Sequence, residues 1–139
     1  MSEEIRLIER FYKDVIETGN LALVDELAKD GFVNHEEGLP GQPPGKEGVK
    51  FFVNAMRSAF PDIEVKEITP SLTAGNMEAC HVVLTGTHRG ELAGIPPTGK
   101  TVEFDSTDII RVEGGKIAEH WGTTDNMGIM RQIGAMAMA

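Results

Sequence analysis

The sequence predicts an α+β fold, with helices first and a long antiparallel sheet after them. Three observations predict it. Ile5, Ile8, Phe11, Tyr12, Val15 and Ile16 fall on one stripe at helical spacing, opposite a face of Glu, Arg, Lys and Asp. From Ile63 onward the period changes to alternation, with Cys80, Val82 and Leu84 on one face of a strand and Val102, Phe104, Ile110 and Val112 on one face of another. Glycine-bearing turns, around Ala74-Gly75-Asn76 and Glu113-Gly114-Gly115, join those strands into hairpins. A sheet curled around helices leaves a concave pocket where the helices splay, and a small-molecule site belongs there.

In chain order, the first helix ends at Gly19, and Asn20 is placed to cap a short second helix with Leu21, Val24 and Leu27 inward. An extended piece, Phe32 to His35, runs into the loop EEGLPGQPPGK, of the size and composition of a lid or entrance. A third helix spans Glu47 to Phe60, with Val49, Phe52, Val53, Met56 and Phe60 inward, and Pro61 stops it. Strands follow over 63–69 and 78–88, with His81 on the face opposite Cys80. His88 shares the parity of the apolar set, unless a bulge at Gly86 reverses it. The loop RGELAGIPPTGK leads into the last hairpin. Asp125 is placed to cap a final helix with Met127, Met130 and Ile133 inward, and the tail Ala135–Ala139 is expected to fray.

One residue breaks the pattern. Asp108 lies in the middle of the apolar face of the strand 102–112, where a carboxylate costs several kcal/mol unless it is paired or neutral. The turn decides what it faces. A three-residue loop Glu113-Gly114-Gly115 pairs Val112 with Lys116, so that Asp108 faces His120 and Ser106 faces Gly122. A two-residue loop Gly114-Gly115 sets Asp108 against Trp121, because a one-residue slip turns every side chain over.

At 139 residues the chain is expected to be one domain, 1–139, with a sizeable core. Net charge is −9, from 22 acidic and 13 basic residues, which argues against nucleic acid and anionic membrane surfaces as partners. Cys80 is the single cysteine, so there is no intrachain disulfide and no cysteine metal cluster, and the four histidines lack metal-ligand spacing on one element. No apolar run approaches the roughly 20 residues of a membrane helix. The acidic N-terminus, with Glu3 and Glu4, is unlike a signal peptide. A cytoplasmic protein with no metal is expected.

Several segments resemble the SnoaL-like polyketide cyclases of the nuclear transport factor 2-like superfamily: FVNH around position 34, AFPD at 59–62, GTHRGELAGIPPTGK at 86–100, RVEGGKIAEHW, and DNMGIMRQIG. The resemblance runs almost end to end. It implies a cone-shaped α+β fold with an internal pocket, no cofactor, a homodimer or tetramer, and ring closure of an aromatic polyketide ester by intramolecular aldol reaction. In that family the acid/base pair is an aspartate just after the EHW-type segment and a histidine on the preceding strand. Matched without gaps, the aspartate falls on Gly122 and the histidine on Asp108, so both positions depart from the pattern. The ligand-touching asparagine of the family matches Asn34. The family pair must share one face of the hairpin, which favours the three-residue loop.

Aldol closure needs a base to remove a proton beside a carbonyl and donors to hold the enolate oxygen. Asp108 and His120 are the candidate catalytic pair, against a purely structural Asp–His pair. Asn34, His35, His88, Phe104, Ser106, Gly122 and Trp121 are the candidates for contact with ligand. The bland reading of His35 is a loop anchor, and that of Phe104 and Trp121 is core or interface packing. Two functions fit: a cofactor-independent acid/base enzyme acting on a hydrophobic carbonyl-bearing small molecule, or a non-catalytic binding protein in which Gly122 marks lost chemistry. Isomerisation and dehydration start from the same proton removal as ring closure.

Overall fold

The alternating C-terminal half builds a five-stranded sheet in the computed structural model, which describes residues 5–135. The strands are β1 (Ala28–Asn34), β2 (Glu64–Ala74), β3 (Met77–Thr87), β4 (Thr101–Glu113) and β5 (Lys116–Thr124), in the order β1-β5-β4-β3-β2. The hairpins β2–β3, β3–β4 and β4–β5 are antiparallel. The sheet is not antiparallel throughout, because β1 joins its edge parallel to β5. The short extended piece expected at Phe32–His35 is therefore a full strand, which carries Asn34 to a position beside His120.

Helices cover one face of the sheet: α1 (Leu7–Arg10), a π-helical segment Phe11–Ile16, α2 (Ala22–Leu27), α3 (Gly45–Ala59) and α4 (Asn126–Gln132). The predicted first helix thus changes its hydrogen-bond step at Phe11, and such wide turns frequently mark functional sites. Gly19 closes the segment with φ +77° and an N–H bond to the Val15 carbonyl, at 2.8 Å. Asn20 does not cap α2 with its side chain; Leu21 holds that position. The core unites Ile8, Val15 and Ile16 with Val53, Met56 and Phe60 of the third helical region and with Val82, Leu84, Val102 and Ile110 of the sheet. On α4, Ile133 is buried and Met130 packs against the core as predicted, whereas Met127 is 59% exposed and Ile129 is buried in its stead. Of the tail Ala135–Ala139, only Ala135 lies within the described residues. Among those residues no helix is long and apolar enough to cross a membrane.

The last hairpin follows neither predicted register. Its turn is the two residues Gly114 and Gly115, both at positive φ, with Glu113 opposite Lys116. A β-bulge then inserts one extra residue into β5: Val112 pairs with Ile117, but Arg111 pairs with Glu119. The extra residue, Ala118, restores the parity that the short turn would have reversed. Asp108 faces Gly122 directly, His120 lies opposite Ile110, and Ser106 lies opposite Thr124.

The junction after β5 is closed by Asp125, whose Oδ1 accepts from the Gly128 N–H at 2.9 Å. Replacing it by alanine leaves that donor without its cap. Asp125→Ala is expected to cost about 1 kcal/mol, read as a lower denaturant midpoint with an unchanged slope.

Candidate functional site

A pocket opens between the helices and the inner face of the sheet, with apolar walls that include Ile8, Phe11, Leu27, Phe32 and Phe52. Its polar groups gather on one side: Asn34, Glu36, Asp108, His120 and Thr124. This is the usual composition of a small-molecule site, apolar walls with a few convergent polar groups.

Asp108 sits at the base of that group and is 2% exposed. Its Oδ2 accepts from the Tyr12 hydroxyl at 2.5 Å and from Ser106 Oγ at 3.0 Å, and its Oδ1 lies 2.7 Å from His120 Nε2. Three partners satisfy a carboxylate that the strand pattern would leave stranded. The Tyr12 hydroxyl is pushed well above its ordinary pKa, first by burial and then by the charge of Asp108, so it stays a phenol that donates. Burial, with Asp108 as the second cause, pushes the Cys80 thiol up to about 12, which suits its place as a buried core side chain.

The hydrogen-bond directions fix the protons on His120. Asn34 Oδ1 accepts from the Glu36 backbone N–H at 3.0 Å, which orients the amide. The same oxygen lies 2.7 Å from His120 Nδ1, so Nδ1 carries a proton and donates it. A further proton lies between Nε2 and Asp108 Oδ1, and His120 and Asp108 share it. Asn34 is thereby a positioning residue for the imidazole.

Glu36, in the loop after β1, completes the group. Its Oε2 accepts from Thr124 Oγ1 at 3.0 Å, and its Oε1 stands 3.8 Å from His120 Nε2. Burial, the largest cause, and the negative charge of Asp108 raise the Glu36 pKa from its ordinary value, while His120 and Thr124 oppose the shift. One atom each of Glu36, Asp108 and His120 lie within 4.8 Å of one another, which is a spacing for metal ligands. The 2.7 Å contact between His120 and Asp108 is nevertheless a hydrogen bond; two ligands on one ion at about 2.0–2.2 Å stand about 3 Å or more apart. As arranged, the group shares protons and does not chelate.

Gly122 has no space for a side chain. A β-carbon built there would stand 2.6 Å from Asp108 Oδ1, 2.7 Å from Glu36 Oε1 and 2.8 Å from His120 Cε1. The space beside this glycine is filled by carboxylates that come from elsewhere in the chain.

The other expected ligand contacts divide by face. Ser106 lies under the pocket and reaches Asp108 and Thr124, the latter at 3.2 Å. His35 was expected at the pocket mouth, but it follows Asn34 by one residue and turns to the outer face. There it stacks on Trp121 at 4.9 Å and bonds to Glu119 at 2.8 Å. Trp121 takes that outer face because it is one residue out of phase with His120. His88 is fully buried away from the pocket, and its Nδ1 accepts from the Thr98 N–H at 3.3 Å, which pins the loop before β4. Phe104 packs in the core against Phe60, with ring centroids 6.2 Å apart. Tyr12, Glu36 and Thr124 were not anticipated. Tyr12 is the chain's one tyrosine and lies on an apolar stripe, so its hydroxyl needed a buried partner. Glu36 carries no such signal.

The model of the SnoaL-like polyketide cyclase family matches residues 6–133. The chain belongs to that family. It is 30% identical to an aklanonic acid methyl ester cyclase of Streptomyces peucetius over 146 residues, covering 96% of this chain and 92% of the relative. It is 28% identical to the nogalonic acid methyl ester cyclase of Streptomyces nogalater over 117 residues, covering 84% and 87%. Among solved structures, IdmH of Streptomyces antibioticus superposes with a TM-score of 0.78 at 30% identity, covering 92% of this chain and 96% of that one. TsrD of Streptomyces laurentii, at 24% identity, shares the fold with a TM-score of 0.82 and covers 96% and 100%. The fold is thus that of the nuclear transport factor 2-like superfamily, as the resemblance implied, and the relatives support a cyclase-like role on small polyketide molecules.

Tyr12 supplies one of the three bonds to a buried carboxylate. Tyr12→Phe is expected to destabilise the protein by about 1.5–3 kcal/mol, the range for hydrogen bonds to charged groups, measured by denaturant unfolding.

Proposed function

We propose that this protein closes a ring on a polyketide-type methyl ester by intramolecular aldol reaction, beginning with removal of a proton beside a carbonyl. The observation that carries the reading is the Asp108–His120 pair, hydrogen-bonded at 2.7 Å on the polar side of an apolar pocket. Phe11, Phe32 and Phe52 offer flat apolar surfaces for a fused-ring ligand. His120 is held in one orientation between Asn34 and Asp108 on the pocket's polar side, which gives the site a fixed electrostatic wall for a developing enolate. Asp108 is the group that orients the imidazole. Tyr12, Ser106 and His120 already engage both of its oxygens, which supports this role over that of the proton-abstracting base.

A non-catalytic binding protein would have no use for the desolvation cost of Asp108, and the enzyme reading is preferred on that ground. The native protein is expected to convert aklanonic acid methyl ester or nogalonic acid methyl ester to the ring-closed product. Asp108→Asn is expected to lower kcat by about 100-fold or more, the lower end of acid/base contributions. Product formation followed by chromatography, with melting curves to establish folding, checks this. A native protein inert towards both esters removes the cyclase reading.

We further infer a homodimer that pairs through the outer sheet face. Leu72, Ala79, Ile109 and Trp121 are successive cross-strand partners and form one apolar row across β2, β3, β4 and β5. Leu72 is 49% and Ile109 41% exposed in the single chain, and contiguous apolar surface of this kind marks association sites. Ile109→Glu is expected to convert the dimer to a monomer in sedimentation velocity; an unchanged mass would exclude this face.

A further inference from the structure

We propose that Glu36 is the catalytic carboxylate of this site, doing from the loop after β1 what an aspartate at position 122 does in the resembled cyclases. The proposal rests on the ring-closure reading above and names the group that moves the proton in it.

The argument starts from which polar atoms remain available. Both oxygens of Asp108 are occupied, by Tyr12 and Ser106 on one side and His120 on the other. Both nitrogens of His120 are occupied, by Asn34 and Asp108. Glu36 differs. Its Oε2 accepts from Thr124, and its Oε1 has no hydrogen bond within the described residues. Glu36 lines the pocket, and that oxygen lies 2.7 Å from the point where a β-carbon on Gly122 would stand. The carboxylate therefore occupies the volume into which a side chain at 122 would project. Gly122 and Glu36 are complementary: the glycine is what leaves room for the carboxylate from the loop.

The chemistry balances on this one group. Glu36 Oε1 takes the proton from the carbon beside a carbonyl, and the C–H electron pair becomes the enolate. The enolate carbon forms the new C–C bond to a second carbonyl carbon of the same molecule. The π pair of that carbonyl moves to its oxygen, which takes the proton back from Glu36. One C–C and one O–H bond form, one C–H bond and one C=O π bond break, and Glu36 returns to its starting carboxylate. Its surroundings suit the task, because burial and Asp108 bring its pKa up towards the working range of a general base. The groups that face it are His120 from β5, Asp108 from β4 with the Tyr12 phenol behind it, and Thr124 at the end of β5, with Glu37 exposed at the pocket rim.

The sign of the stability effect separates this role from a structural one. A carboxylate with a raised native pKa binds its proton more tightly folded than unfolded, so its contribution to stability falls as pH rises through that window. Glu36→Gln removes this penalty while keeping the acceptor for Thr124. At neutral pH the variant is expected to melt at or above the native temperature, with the gain disappearing below the ordinary glutamate pKa.

The test measures ring closure of aklanonic acid methyl ester and nogalonic acid methyl ester by native protein, Glu36→Gln, Glu36→Asp and Thr124→Val. The expected result is a fall in kcat of about 100-fold or more for Glu36→Gln, with KM little changed and no loss of stability. Glu36→Asp keeps part of the activity. Thr124→Val removes a donor to the carboxylate, so the acid limb of the kcat/KM profile moves to higher pH. Native-like kcat in a folded Glu36→Gln overturns the role of Glu36 and leaves the cyclase reading standing. An acid limb that Thr124→Val does not move likewise counts against it. A native protein that closes neither ester overturns both.

Discussion

The buried carboxylate of Asp108 is the constraint on which the rest of the site depends. A charge on the apolar face of a central strand is tolerated only with its lone pairs filled, and the donors must come from separate parts of the chain. Tyr12 arrives from the π-helical segment, Ser106 from two residues back on the same strand, and His120 from the neighbouring strand. The placement of the N-terminal helical region over the sheet is therefore tied to the same atom that orients the imidazole. Stability and site geometry are one arrangement here, so the network cannot be loosened at Tyr12 without disturbing His120.

The β-bulge at Ala118 does as much for the site as any polar side chain. A two-residue glycine turn alone would send His120 outward and bring Trp121 under the helices. One inserted residue reverses this, gives His120 to the pocket and leaves Trp121 to stack on His35 outside. The two faces of β5 then have separate chemistry. The inner face shares protons, while the outer carries an apolar row and the ion pairs of Glu119, whose carboxyl is held below its usual range by His35 first and then by Arg111.

Positions 108 and 122 face each other across the hairpin, with a carboxylate at 108, an imidazole from the diagonal position 120, and glycine at 122. An aspartate at 122 would crowd this group, because its β-carbon would meet Asp108, Glu36 and His120 at 2.6–2.8 Å. Overpacking of this kind is relieved only by moving neighbours, at about 1–3 kcal/mol. The glycine thus belongs to this arrangement of carboxylates.

The sequence by itself determined the element types, the inner parity of Asp108 on its strand, and the Asp125 cap, because these follow from local period and short-range hydrogen bonding. It also carried the family, through motifs along almost the whole chain. Tertiary structure alone decided the rest. The parallel pairing of β1 brings Asn34 to His120, the bulge sets Asp108 opposite Gly122, and the fold carries the Glu36 loop into the space above that glycine. Each of these joins residues far apart in the chain, and neither period nor propensity records such contacts. Glu36 shows the limit most clearly. In the sequence it is one of two adjacent glutamates in a loop, and only the packing around it makes it different from Glu37.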